Sequence, residues 1–207
     1  LVYLDRRKNV LKLAQGEFVA LSRVEAVFAA APGVGQIFVY GNSSRSFLLA
    51  VVVPTDEAAA GAADDAALHD AIVDALKTTG REAGLNSYEI PRDVIVEREP
   101  FSRDNGLLSG VGKVLRPKLI DRYGDRLEQL YRDLADGQTE ELRRLRRDAG
   151  DRPVVETVGR AAAAVIGGGT SALSADARFG DLGGDSLSAL SFSTLLGEIF
   201  DVEVPVG

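Results

Sequence analysis

The sequence has 207 residues, of which 45% are hydrophobic and 27% charged, and its 31 acidic and 24 basic residues give a net charge of −7. This length allows one or two hydrophobic cores, whereas the negative charge argues against a nucleic-acid partner and the lack of an apolar run of about 20 residues argues against a membrane span. With no Cys and one His, disulfides, thiolate metal sites and a structural zinc are excluded, no metal is expected, and a reducing, cytoplasmic setting fits the composition.

The first 115 residues alternate between predicted strands and predicted helices. Strands are predicted at 1–4, 9–13, 36–40, 47–53 and 94–96, and helices at 21–31 and 65–84. Ser22 followed by Glu25 predicts a capping box at the start of the first helix, and His69 is predicted to be an exposed residue of the second helix. A glycine-rich loop then ends in Lys113. This order predicts a small α+β domain of about 115 residues.

The remaining residues show helical periodicity throughout. Apolar residues recur at helical spacing from Leu119 to Leu134, a break is predicted at 136–137, and a second helix is predicted to begin at Thr139. Pro153 opens a further amphipathic helix, which ends before three glycines. The pattern does not show which core the helices between 116 and 150 pack on.

Residues 181–190 have the sequence Asp-Leu-Gly-Gly-Asp-Ser-Leu-Ser-Ala-Leu and are followed by further apolar residues at helical spacing. This pattern predicts a loop that leads into a helix whose N-terminus carries the hydroxyl of Ser186. By itself the pattern also fits an ordinary N-cap serine. A hydrolase nucleophile is disfavoured, because the second glycine of a nucleophile elbow is missing and His69 has no nucleophile beside it in sequence.

With its flanking segments, this stretch resembles the acyl and peptidyl carrier proteins. The resemblance implies that Ser186 is the attachment site of 4′-phosphopantetheine, transferred by a phosphopantetheinyl transferase. Such a serine needs exposure and a helix N-terminus that tolerates a phosphodiester. Carrier domains have four helices, so this one is expected to be incomplete, and a sequence that contains no Met is expected to be a piece of a longer polypeptide.

Three motifs occur in order in the first domain: Asp-Arg-Arg-Lys-Asn at 5–9, Leu-Lys-Leu-Ala-Gln-Gly-Glu-Phe-Val at 11–19, and Val-Gly-Lys-Val-Leu-Arg at 111–116. Together they resemble the C-terminal lobe of the acyl-adenylate-forming enzymes, a superfamily that includes acyl-CoA synthetases, luciferases and adenylation domains. The first two motifs are more narrowly similar to carboxylic acid reductases. The large N-terminal lobe of these enzymes, with most of the nucleotide contacts, is absent from this sequence.

The resemblance implies a role for each matching position. Lys113 is implied to be catalytic and to contact both the substrate carboxylate and the α-phosphate of ATP, where negative charge accumulates. Arg6 is implied to bind the nucleotide near its ribose and phosphate. Lys8 is implied to lie at the hinge of a lobe rotation, and Gly16 in the loop that lines the pantetheine tunnel after that rotation. Without the resemblance, these residues would be interpreted as ordinary turn and surface residues.

The expected fold is therefore an α+β small lobe of an adenylate-forming enzyme, followed by the truncated all-α helical bundle of a carrier protein. The expected domains are the C-terminal subdomain of an adenylation domain at 1–116, a helical linker at 117–150 and a phosphopantetheine carrier at 151–207. The resemblance implies part of a carboxylic acid reductase, in which ATP and Mg²⁺ activate a carboxylic acid to an acyl-adenylate. The acyl group is then captured as a thioester on the phosphopantetheine arm of Ser186 and reduced to an aldehyde by an NADPH-dependent domain that is absent here.

The expected partners are the large adenylation lobe, the downstream reductase domain, the phosphopantetheinyl transferase and the carboxylic acid substrate. The chain by itself is not expected to be active. Two other interpretations stay open: the adenylation–carrier segment of a nonribosomal peptide synthetase, and a non-catalytic interaction module whose serine is never modified. A condensation domain after the carrier would indicate the first alternative, whereas a nucleotide-binding reductase domain would indicate a carboxylic acid reductase. The intact Gly-Gly-Asp-Ser-Leu and Gly-Lys motifs disfavour the second alternative.

Overall fold

The computed structural model describes residues 10–148, 153–166, 178–179 and 186–205. Contacts between Cα atoms divide the chain into two compact units, one ending at Glu128 and the other beginning at Gln129. The predicted strand at 1–4 lies outside the described residues.

The first unit opens with a short antiparallel pair of strands, β1 (Val10–Lys12) and β2 (Phe18–Ala20), and continues directly into helix α1 (Leu21–Phe28). The predicted capping box at Ser22 is wrong, because Ala20 is the N-cap residue and no side chain caps the helix. Glu25 accepts a hydrogen bond from the backbone N–H of Val39 instead, at 2.9 Å. The carboxylate therefore joins α1 to the sheet rather than closing the helix end.

The central sheet has three strands in the order β3 (Val34–Tyr40), β4 (Leu49–Pro54) and β5 (Asp93–Val96). β3 and β4 are antiparallel, whereas β4 and β5 are parallel. A parallel pair requires a long crossover connection, which here contains helix α2 (Asp56–Gly61), helix α3 (Asp65–Glu82) and a 3₁₀ turn (Ser87–Glu89). Every residue of β4 is buried, as expected for a strand covered on both faces of its sheet.

One face of the sheet packs against α1 and α3 in a continuous apolar core. The largest side chains of this core are fully buried: Phe28, Leu48, Leu68, Ile72 and Leu76. Because side chains alternate between the two faces of a strand, Phe38 and its partner Val51 point to the other face.

The first turns of helix α4 (Arg116–Asp148) lie on this second face. The guanidinium of Arg116 lies 4.9 Å from the centre of the Phe38 ring, and the hydroxyl of Tyr40 donates to Glu128 at 2.9 Å. The first unit is therefore a three-layer α/β/α arrangement.

The predicted break in α4 at 136–137 is wrong, since the helix is continuous over 33 residues. Asp and Gly in a helix interior cost only about 1 kcal/mol or less each relative to Ala. A tertiary contact lies beside them, because Gln138 Nε2 donates to the carbonyl of Ala164 at 2.7 Å.

The second unit is helical in its described residues. Helices α5 (Val154–Ile166) and α6 (Ser186–Phe200) pack together with the end of α4. The buried residues of this core are Leu145, Ala161, Ala164, Leu195 and Leu196. An ion pair of 2.6 Å between Arg160 and Glu141 links α5 to α4. The predicted fold class, an α+β lobe followed by an all-α segment, is confirmed.

Candidate functional site

Lys113 lies near the tip of a tight hairpin in the first unit. The N–H of Leu115 donates to the carbonyl of Leu107 at 2.9 Å, and Leu108 forms an antiparallel bridge with Val114. Leu107 is almost completely buried, with 3% of its surface exposed. The hairpin therefore has an apolar base and an exposed tip.

The tip of the hairpin fixes the backbone of Lys113 while its side chain stays exposed. The N–H of Ser109 donates to the carbonyl of Lys113 at 2.8 Å, and the N–H of Lys113 donates to Ser109 Oγ at 3.0 Å. Gly112 has a φ of +76°, in the left-handed region where glycine is favoured. The result is a solvent-facing ammonium on a defined turn, which suits contact with a negatively charged group.

The segment before the hairpin is attached to the sheet by one side chain. Gln36 on β3 accepts a hydrogen bond from the N–H of Phe101 at 2.6 Å and donates to the carbonyl of the same residue at 3.0 Å. The Phe101 ring lies 6.1 Å from the ring of Tyr123 on α4. These contacts fix the N-terminal end of the Lys113 segment.

Gly16 lies in the loop that joins β1 and β2. Its φ is +98°, and no other atom lies within 4 Å of the position that a Cβ would occupy. The loop is attached to the connection between β3 and β4, because the N–H of Ala14 donates to the carbonyl of Arg45 at 3.0 Å and Gln15 Nε2 donates to the carbonyl of Ser46 at 2.8 Å. Gly16 therefore sits on an open turn whose neighbours are fixed.

Ser186 is the first residue of α6, as the sequence predicts, and the helix continues for 15 residues. A helix of this length has backbone N–H groups at its first turn that no intrahelical carbonyl accepts, and they suit the phosphodiester of a phosphopantetheine arm. Most of the glycine-rich stretch before Ser186 lies outside the described residues. Ser186 and Lys113 belong to different units.

Arg6 and Lys8 lie outside the described residues, so their predicted roles stay predictions. Among the residues that the structure describes, no helix is long and apolar enough to cross a membrane. The same residues contain no group of three or more His, Asp or Glu side chains that could hold a metal ion.

Two polar residues of α4 hold the elements around the site in place, and the sequence pattern does not indicate this role. Arg116 donates a hydrogen bond to the carbonyl of Val39 on β3, and Glu128 accepts one from Arg45 in the turn between β3 and β4. Arg116 is part of the third motif, but nothing in the motif indicates its partners. Glu128 carries no local signal at all, because a carboxylate on an amphipathic helix is most often a solvated one.

Two protein-family profiles match separate parts of the chain. The profile described as AMP-binding enzyme C-terminal domain matches residues 23–103, and the profile described as phosphopantetheine attachment site matches residues 156–207. The order of the two matches is the order of the α+β lobe and the helical unit.

Characterised relatives match the whole chain. A carboxylic acid reductase of Segniliparus rugosus is 60% identical over 205 residues, which cover 99% of this chain and 17% of the relative. A carboxylic acid reductase of Mycobacterium marinum is 58% identical over 206 residues, which cover 100% of this chain and 18% of the relative. The chain thus spans less than a fifth of the length of these relatives.

A solved structure supports the same assignment. The A-PCP didomain of the Segniliparus rugosus carboxylic acid reductase, in complex with AMP, shares 59% identity with this chain. The match has a TM-score of 0.67 and covers 99% of this chain and 28% of the didomain. With identities this high from end to end, the chain is closely related to the carboxylic acid reductases, and it contains an AMP-binding C-terminal match followed by a phosphopantetheine attachment match.

Proposed function

We propose that this chain acts within a carboxylic acid reductase that activates a carboxylic acid with ATP and captures the acyl group as a thioester at Ser186. An NADPH-dependent domain elsewhere in the protein would then release the aldehyde. The observation that carries the proposal is the presence, in one chain and in this order, of a hairpin with an exposed Lys113 and a helix that begins at Ser186. The end-to-end similarity to carboxylic acid reductases favours this function over peptide synthesis.

The residues divide the work between two steps. In the first step, a carboxylate oxygen of the substrate attacks the α-phosphate and pyrophosphate leaves, while Lys113 neutralises the charge that accumulates on both groups. Arg6 would hold the nucleotide, Mg²⁺ would accompany the ATP, and most other contacts would come from the large lobe. In the second step, rotation about Lys8 would replace Lys113 at the reaction centre by the loop around Gly16. The thiol of the arm on Ser186 would then attack the acyl carbonyl, forming the thioester as the acyl–phosphate bond breaks and AMP leaves.

The carrier role is tested most directly by mass. The reductase chain that includes these residues is incubated with a broad-specificity phosphopantetheinyl transferase and CoA, and its intact mass is measured. We expect the addition of one phosphopantetheinyl group, its loss in Ser186→Ala, and its retention in the control Ser188→Ala, which changes a second serine in the same turn of α6. An unmodified wild-type carrier, or a modified Ser186→Ala variant, would contradict the proposal.

The adenylation role needs a separate measurement. With the same reductase chain, exchange of radioactive pyrophosphate into ATP should depend on added carboxylic acid. This exchange does not require Ser186, so it should persist in Ser186→Ala. If pyrophosphate exchange is lost in Ser186→Ala, which cannot carry the arm, the two steps are not separate as proposed.

A further inference from the structure

Glu128 accepts hydrogen bonds from three side chains at once. The donors are the hydroxyl of Tyr40 at 2.9 Å, Nδ2 of Asn42 at 2.7 Å and Nη2 of Arg45 at 2.7 Å. Tyr40 ends strand β3, and the other two donors lie in the turn between β3 and β4. One carboxylate on α4 therefore holds both the strand end and the turn.

The same turn is the attachment point of the loop that contains Gly16. The turn gives that loop two backbone acceptors, the carbonyls of Arg45 and Ser46. The turn and β1 are also in close contact at Gly41, where an added Cβ would lie 2.8 Å from Leu11 Cδ2. A displacement of the turn would therefore displace the loop around Gly16.

The charge state of Glu128 suits this role. Burial by itself would raise the pKa of its carboxyl, but hydrogen bonds from the three donors outweigh burial and keep the pKa below its usual value. The carboxylate is therefore ionised at neutral pH and accepts charge-assisted hydrogen bonds, which are the stronger kind.

The cluster lies outside the apolar cores of the unit. The side chains of Glu128 and Arg45 are 28% and 30% exposed, so water screens the charges of this pair. The apolar cores on the two faces of the sheet do not depend on it. Such an arrangement sets the position of a loop without deciding whether the domain folds.

We propose that Glu128 is a positioning residue for thioester transfer, because it fixes the turn between β3 and β4 and thereby the loop that contains Gly16. The inference rests on the proposed role of that loop in the second step. It goes beyond that role, because it predicts that Glu128 affects thioester transfer but not adenylation. The Lys113 hairpin has its own attachment through Gln36 and Phe101, which Glu128 does not contact.

The test compares the two half-reactions in the reductase chain that includes these residues. Glu128→Gln keeps the shape of the side chain but removes the charge that pairs with Arg45. We expect the transfer of the acyl group to Ser186 to slow about tenfold, as misplacement of a reacting group typically causes, and pyrophosphate exchange to stay within about twofold of wild type. The matched control is Glu97→Gln, which removes another carboxylate bonded to α4, through Arg126 at 3.2 Å, and should change neither rate.

A second variant and a structural measurement keep the test decisive. Arg45→Gln should slow transfer by a similar factor, and the double variant should be no slower than either single one, since both remove the same interaction. In the 207-residue chain, Glu128→Gln should also speed hydrogen exchange at the amide of Ala14, which donates to the carbonyl of Arg45. A purely structural role would not slow one half-reaction selectively.

The outcomes separate the inference from the proposed function. Equal slowing of both half-reactions, or no slowing of transfer, would overturn the role of Glu128 while leaving the proposed function intact. Failure of the wild-type chain to catalyse acid-dependent exchange and to load Ser186 would instead overturn the proposed function, and the inference with it.

Discussion

The guanidinium of Arg116 and the carboxylate of Glu25 lie 2.5 Å apart, although 91 positions separate them in the sequence. Arg116 also donates to the carbonyl of Val39 at 2.8 Å. The first residue of α4 is thus bonded to α1 and to the central sheet simultaneously. Because Lys113 lies only three residues before Arg116, this contact fixes the C-terminal end of the Lys113 hairpin.

The Arg116 contact predicts a measurable loss of stability. The two side chains are 21% and 20% exposed, and hydrogen bonds between charged groups contribute about 1.5–3 kcal/mol when they are partly buried. Arg116→Ala should therefore lower the free energy of unfolding by about 2 kcal/mol, measured by urea denaturation. The control is Arg98→Ala, which removes an exposed pair with Asp65 and should cost about 0.5 kcal/mol or less. Equal effects of the two substitutions would contradict the prediction.

The role of Lys113 predicts unequal effects on the two half-reactions. Lys113→Ala should reduce acid-dependent pyrophosphate exchange about 100-fold or more, since a preorganised charge at the transition state is lost. Transfer from supplied acyl-adenylate to Ser186 should fall much less, because in the proposed rotation the loop around Gly16 replaces Lys113 at the reaction centre. Lys118→Ala, which removes an exposed lysine from the first turns of α4, is the control and should leave both rates unchanged. A similar loss in both half-reactions would argue against the rotation.

His69 predicts a specific dependence of stability on pH. Its Nε2 lies 2.6 Å from Asp93 Oδ1, and its Nδ1 lies 3.1 Å from Asp70 Oδ1. The hydrogen bond with Asp93, reinforced by Asp70 and opposed by burial, raises the pKa of His69 from 6.5 to about 9. Since the protonated form is favoured in the folded state, the stabilisation is complete below about pH 6.5 and is lost as the pH rises through 9.

The measurement is the free energy of unfolding between pH 6 and pH 9.5 in wild type and in His69→Gln. The imidazole side chain is 36% exposed, so solvent screening reduces its contribution to about 1 kcal/mol. The difference between the two proteins should shrink by that amount across the range. A difference that stays constant with pH would show that the ion pair does not form.

Two glycines in helices predict opposite effects of the same substitution. At Gly80 in α3, an added Cβ would lie 2.8 Å from Cγ1 of Ile90 and 3.3 Å from Cε1 of the buried Phe28. Gly80→Ala should therefore destabilise the protein by about 1–2 kcal/mol despite the better helix propensity of Ala. At Gly61 in α2 nothing lies within 4 Å, so Gly61→Ala should be neutral or stabilise by up to about 1 kcal/mol in the same denaturation experiment.

The local signals of the sequence predict the elements better than their partners. The apolar runs predicted as strands at 36–40 and 47–53 correspond to β3 and β4, although β4 begins only at Leu49, and the loop that ends in Lys113 is a turn with a left-handed glycine. The four residues of β5 contain no local pattern that would indicate parallel pairing with β4. Parallel or antiparallel pairing depends on the whole crossover, which local periodicity does not describe.

The incorrect predictions have the same physical origin. Glu25 has the spacing of a capping box, but its carboxylate finds better donors in Val39 and Arg116, which are close only in the folded chain. His69 lies on α3 with a side chain that is 36% exposed, but its helix position does not indicate that β5 brings Asp93 to its ring. Helix α4 continues through Asp136 and Gly137, and Gln138 beside them donates to the carbonyl of Ala164 on α5. In each case a tertiary contact decides the outcome.

The long separation between α4 and its partners has a consequence for biosynthesis. The face of the sheet that carries Phe38 is covered by α4, which follows β3 by more than 75 residues. Contacts between residues so distant in sequence form slowly, and an apolar face that waits for its cover is prone to association. While the chain is being translated, the sheet therefore stays open on this side until Glu128 has left the ribosome. In an expression fragment that ends at Arg116, the face of the sheet that carries Phe38 would stay uncovered.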